Sequence, residues 1–160
     1  MSNKSKEVVI VSAIRTPIGK YRGSLKDIRS DKLGSIVIKE VLKKSKFFNE
    51  EIDEIIMGQV LTAGTGQNPA RQAAINAGIP ISKPAHIINQ VCGSGLRAVI
   101  SGYQSIKLGE SKNIIAGGQE NMSIAPHSIF YRDEKKISEE KLLDTMINDG
   151  LIDAFNNYHM

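Results

Sequence analysis

Residues 84–120, PAHIINQVCGSGLRAVISGYQSIKLGESKNIIAGGQE, hold three elements in succession. Pro84 to Val91 is an apolar run of strand length, residues 93–108 read as a helix stopped by Gly109, and Lys112 to Glu120 read as a further strand. Strand, helix, strand is the repeating unit of a parallel sheet, because parallel neighbours need a crossover and a helix is the usual one. The same alternation continues toward the N-terminus. "NPARQAAINAG" (68–78) is a short helix with Pro at its first position and a Gly stop, and "DEIIMGQV" (53–60) is a strand. Asp31, an N-cap candidate, opens an amphipathic helix to about Lys46, and "EVVIVSA" (7–13) reads as a buried strand. The order βαβαβαβ predicts an α/β fold with a mostly parallel sheet and covering helices.

After Glu120 the composition changes. Residues 121–160 have a Pro, a charged run at Arg132 to Lys136, a short helical stretch near Leu142 to Ile147, and no strand comparable to the first four. Residues 1–120 therefore read as a core unit and 121–160 as the start of a second, loop-rich one.

At 160 residues the chain can bury roughly two thirds of its unfolded surface, enough for one domain with a core. Its 41% hydrophobic and 24% charged residues are ordinary for a globular protein. Apolar runs fall short of the ~20 residues a membrane span needs. The start, MSNKSKEVVIVSAIRTP, lacks the cleavage pattern of a signal peptide, so a cytosolic setting is expected and the sequons at Asn3 and Asn121 carry no meaning. The net charge of +4 is uneven: residues 1–46 hold 12 Lys/Arg against 4 Asp/Glu. Lys32, Lys39, Lys43 and Lys46 lie at helical spacing opposite Leu33, Ile36, Val37 and Val41, which makes them the solvated face of a helix. Aromatic residues are only 5%, and no nucleic-acid module accompanies the basic residues, so nucleic-acid binding is not expected.

The single cysteine, Cys92, excludes an internal disulfide and any Cys-based zinc cluster. It is core filler or a nucleophile. The helix after it has an apolar stripe (Leu96, Val99, Ile100, Tyr103, Ile106) and otherwise small residues (Gly95, Ala98, Ser101, Gly102, Ser105), which predicts burial on more than one side and a thiol inside the protein. Against the filler reading, Cys92 directly precedes Gly93, Ser94 and Gly95 at a helix mouth, where unpaired N–H groups favour an anion such as a thiolate. Residues 93–98 also match G-x-G-x-x-A, but after the third strand, with no acidic residue suitably placed at the end of the next; a dinucleotide site is not expected.

"NQVCGSGLRAV", with "GQVLTAGTGQNPARQAA" before it and "IIAGGQENMSIAP" and "DGLIDAFNNYHM" after it, resembles the N-terminal part of a thiolase of the biosynthetic acetyl-CoA acetyltransferase type. The resemblance runs through essentially the whole chain. It implies the N-terminal half of a five-layered αβαβα sandwich plus the start of the loop domain. It implies that Cys92 takes an acyl group from an acyl-CoA, which a second acetyl-CoA then attacks to give acetoacetyl-CoA and CoA. It further implies that the Cys92 backbone N–H belongs to an oxyanion hole, that His159 and Met160 line the substrate pocket, and that the chain forms homodimers or homotetramers. No cofactor or metal is implied, since coenzyme A thioesters are the substrates.

Thiolases run to more than twice this length, and the His and second Cys that complete their chemistry come from a second half whose motifs are absent here. The 160-residue chain by itself is therefore expected to be inactive, and a fragment acting only in assembly with other thiolase chains stays open beside the enzyme. Gln119 and Asn121 stand where many relatives have Met and Ser. A condensing enzyme acting on carrier-protein thioesters shares the helix-mouth cysteine but fits the flanking motifs less well. His86 reads as core or strand edge, His127 as exposed, and Arg71 and Gln72 as helix surface or subunit contact.

Overall fold

A computed structural model describes residues 7–131 and 142–160. Asn3 and the charged run Arg132 to Lys136 lie outside the described residues. The centre of the fold is β1 (Glu54–Gly58), whose Ile55, Ile56 and Met57 are buried, the continuous apolar run expected of a strand covered on both faces. On one side it pairs in parallel with β2 (Ala85–Ile88), Ile55 opposite Ala85; on the other with β3 (Ile114–Gly118), Ile55 opposite Ile115.

The sheet order β2-β1-β3 makes the two crossovers run in opposite directions, so connections of one hand must put their helices on opposite faces. They do. Helix α2 (Pro69–Ala77) lays Ala70, Ala73, Ala74 and Ala77 against Ile55 and Met57, together with Ile38 and Leu42 of α1 (Ser30–Ser45). Helix α3 (Ser94–Leu108) covers the other face, where Gly102 lies against Ile114 and Ala116. Each large side chain fully buried in the first layer is worth about 1.5–3 kcal/mol.

The α2 boundaries agree with the sequence reading. Asn68 caps the helix by accepting the Arg71 N–H, Pro69 opens it, and Gly78 ends it at φ +93°. Arg71 reaches past the surface to donate to the Lys83 and Ile81 carbonyls, anchoring the turn into β2.

Four expectations are corrected. Asp31 is not the N-cap: that position is Arg29, and Asp31 is buried in the first turn, accepting from Arg29 Nε at 2.8 Å. The packed face of α1 is Gly34, Ser35, Ile38 and Leu42, while Ile36 is 52% exposed, because the alanine surface of α2 lets the two helices approach closely through small residues. Residues 7–13 form no strand, and Val9, Ile10 and Val11 are exposed; they have strand composition but no ladder partner among the described residues. In α3 the small face, Ser94, Ala98 and Gly102, packs on the sheet, and the large stripe is open, Leu96 being 69% exposed. The reason is distance: β3 offers Ile114 and Ala116 at a spacing only small residues can meet.

Residues beyond β3 fold over the strand ends. A 3-10 turn, Met122–Ile124, leads to β4 (His127–Ser128), which pairs antiparallel with β5 (Leu143–Asp144). The predicted helix near Leu142 thus starts as a strand. Asp144 Oδ1 accepts the Met146 N–H, and only then does a π-helical turn follow, Ile147–Leu151. Asn121 Nδ2 donates to the carbonyls of Leu25, Lys26 and Ile28, fastening the N-terminal loop to the end of β3. No helix among the described residues is long and apolar enough to cross a membrane.

Candidate active site

The connection from β2 to α3 is tight. Asn89 Oδ1 accepts the Val91 N–H at 3.0 Å, and Ser94 Oγ accepts the Gln90 N–H and donates to the Val91 carbonyl. Held in this way, Val91 has φ +46°, a conformation a β-branched residue avoids. Such strain costs of order 1–3 kcal/mol and persists only where surrounding bonds impose it. Its effect is to turn the chain sharply, so that Cys92 stands at the tip of the bend with its free thiol exposed, not inside the protein as predicted.

Helix α3 begins two residues later. Among the described residues nothing accepts the backbone N–H groups of Gly95 or Leu96, so the helix mouth keeps donors. Its first turn rests on the sheet: a Cβ on Gly58 would lie 2.3 Å from the Ser94 carbonyl carbon and 2.5 Å from the Gly95 nitrogen. Only glycine at the end of β1 allows that approach.

Cys92 borders a cleft of about 430 Å³ over the carboxyl ends of β1 and β3, the place where open parallel sheets receive ligands. Gln59, Val60 and Leu61 form one wall, Gln119, Glu120 and Met122 another, and Gly150 and Leu151 reach in from the π-helical turn. Glu120 Oε2 accepts both the Val60 N–H (2.9 Å) and the Leu61 N–H (3.1 Å). Burial pushes its carboxyl above the ordinary carboxylate range, backbone hydrogen bonds from Val60, Leu61 and Asn121 opposing this only in part. Gln119 Nε2 donates to Gln59 Oε1, and Gln59 Nε2 to the Leu61 carbonyl. A smaller cavity of about 150 Å³ lies between Arg29, Asp31, Thr65 and Asn121, with the Asp31 carboxylate already taken by Arg29.

The remaining sequence candidates are dispersed. His159 is exposed, forms a bridge with Ile152 and sets Nδ1 3.0 Å from the Met160 carbonyl; neither it nor Met160 lines the cleft as formed by the described residues. His86 stands on the edge strand with Nδ1 3.1 Å from Glu54, and His127, exposed as expected, sits in β4 opposite Asp144. Among the described residues no three His, Cys, Asp or Glu side chains converge as metal ligands. Sequence reasoning missed Glu120 and Gln59 as parts of the cleft. The available signal was their place, polar residues immediately after two apolar strands.

A parallel sheet with a cysteine presented on a strained strand-to-helix turn, above the strand ends, defines the class: an α/β domain built around an open thiol. Within that class the chain belongs to the thiolase family, residues 8–160 matching the thiolase N-terminal domain. It is 55% identical over 155 residues to an acetyl-CoA acetyltransferase of Cupriavidus necator, covering 96% of this chain and 39% of that one. It is 52% identical over 160 residues to the cytosolic acetyl-CoA acetyltransferase of Rattus norvegicus, covering 100% of this chain and 40% of the relative. An acetyl-CoA acetyltransferase of Paracoccus denitrificans is 51% identical over 154 residues, 96% of this chain and 39% of the relative. The chain thus spans about 40% of the length of the curated relatives it matches.

Proposed function

We propose that this chain is the nucleophile-bearing part of an acetyl-CoA C-acetyltransferase. The observation that carries the reading is Cys92, exposed at a strained bend, beside free helix-mouth N–H groups and a cleft large enough for an acyl group. The Cys92 thiolate attacks the thioester carbonyl of acetyl-CoA; the developing oxyanion is met by the Cys92 backbone N–H; CoA leaves as its thiolate and the acetyl group stays on sulfur. The methyl carbanion of a second acetyl-CoA then attacks that acetyl carbonyl, giving acetoacetyl-CoA and returning the Cys92 thiolate. By family resemblance, the proton-transfer groups for these steps belong to a second half not included in residues 1–160, while His159 and Met160 line the acyl-CoA path. In this reading residues 1–120 are one core half and residues 121–160 the beginning of a loop domain. No cofactor takes part, and a reducing, cytoplasmic setting suits a working free thiol.

Incubation with acetyl-CoA followed by peptide mass analysis tests this. An acetyl group on the Cys92 peptide is expected in a chain complete with its second half, and Cys92→Ser should remove it, since a hydroxyl is far less ionised than a thiol. Equal acetylation of the Ser variant would contradict the assignment. A second reading, a partner-dependent fragment without activity of its own, is favoured by the open apolar faces at Val9 to Val11 and on α3. Turnover by residues 1–160 alone would dismiss it.

A further inference from the structure

The polar contacts behind the cleft run in one connected series, in which Gln119 Oε1 alone is buried without a partner among the described residues. Gln119 is bonded to Gln59, Gln59 to the Leu61 carbonyl, and the Leu61 and Val60 N–H groups to Glu120, the next residue after Gln119. The Gln119 N–H donates in turn to the Gly58 carbonyl at 2.9 Å. The carboxyl ends of β1 and β3, some 60 residues apart in the chain, are thereby locked together just past the last ladder bond. Burying a carboxylate is costly, and two loop N–H groups could be satisfied by water or a carbonyl at less expense. What a carboxyl oxygen adds is a single acceptor that grips two successive peptides at once, at 2.9 and 3.1 Å. Those two peptides form the cleft wall that shares the space in front of Cys92.

We propose that Glu120 is a positioning residue for acyl transfer at Cys92: its carboxylate fixes the Val60–Leu61 wall, so that a thioester entering the cleft presents its carbonyl to the thiol and the helix-mouth N–H groups in one orientation. The inference rests on the reading of Cys92 as the acylated nucleophile. Glu120 touches no reacting atom; it acts through the wall. Gln59 and Gln119 keep the wall from rotating about that grip.

The test uses two electrophiles on the wild-type chain and on Glu120→Leu and Glu120→Gln. Iodoacetamide alkylates a thiol by simple displacement and needs no carbonyl orientation; p-nitrophenyl thioacetate must be attacked at its carbonyl, yet needs no external base once the thiolate is formed. Relative to a free cysteine peptide, wild type is expected to favour acylation over alkylation. Glu120→Leu, which has no acceptor, should lose at least about tenfold in acylation while alkylation stays within about twofold, as expected of a misplaced carbonyl. Glu120→Gln, whose amide oxygen still accepts, should recover to within about threefold of wild type. Undiminished acylation in Glu120→Leu overturns the proposal, as does a parallel fall in both reactions, or a loss in Glu120→Gln as deep as in Glu120→Leu. Should Glu120→Leu not fold, Glu120→Asp carries the test: it keeps the charge but is one methylene short, and acylation undiminished there also overturns the proposal. A wild type that favours acylation no more than the free peptide sinks the reading of Cys92 together with this one, whereas a wild-type preference retained in Glu120→Leu sinks only the role of Glu120.

Discussion

Asp53 and Glu120 each accept two successive backbone N–H groups, yet their carboxyls move in opposite directions. Asp53 Oδ2 takes the Lys112 and Asn113 N–H groups, and the Lys112 bond, followed by that to Asn113, holds it below the usual range; it stays partly exposed. For Glu120 desolvation is the larger cause, so the same motif ends above the range. The consequences for stability therefore have opposite sign. Asp53 contributes stability that is present above its unfolded pKa of about 3.9 and is lost as pH falls through its lower folded value. Glu120 contributes stability present below its unfolded pKa of about 4.3 and lost as pH rises through its raised folded value. Urea unfolding of Asp53→Asn should show a flatter acid limb than wild type below about pH 4, and Glu120→Gln should gain on wild type as pH rises above about 4.3. Stability curves parallel to wild type in both variants would mean that neither carboxyl differs between the folded and unfolded states.

At the scale of elements, the first turn of α3 and the end of β1 depend on one missing side chain. Gly58→Ala would drive a Cβ into backbone atoms of Ser94 and Gly95, which cannot swing aside as a side chain can. Overpacking of this kind costs about 1–3 kcal/mol or more, and it should also move Cys92. A thermal midpoint within error of wild type would show that α3 yields more easily than its packing implies. How these elements could be read from sequence follows the range of the forces involved. Asn68, Pro69, Gly78 and Gly109 act on their own neighbourhood, and the helices they bound are where the sequence put them. The packed face of α3 depends on Ile114 and Ala116 across the layer, so a stripe of large residues misled. The 7–13 run shows that strand composition without a partner does not make a strand. The place of Cys92 at a helix mouth was legible because a helix mouth is local, although its exposure was not. The Glu120 grip joins residues about 60 apart, and no spacing rule announces such a pair.

For the whole molecule, the sheet ends in an open edge at β2, where Pro84, His86, Asn89 and Gln90 are exposed. A two-fold contact through Pro84 to Val91 is expected, and light scattering at micromolar concentration should find a dimer or larger; a stable monomer would remove it. Beyond β4, Phe130 is 76% exposed. A last consequence comes from Asn121, which fastens Leu25, Lys26 and Ile28 across more than 90 residues of chain. A ribosome adding about 5–20 residues per second makes that anchor only roughly 5–20 s after the loop it holds. During synthesis the loop at 20–28 hangs free with its lysines and arginine, and fastening must follow translation of the strand that precedes the anchor. Stalled nascent chains ending before Asn121 should be cut there by trypsin, while chains long enough to carry Asn121 clear of the ribosome should resist; equal cleavage in both would show that the loop is held by something else.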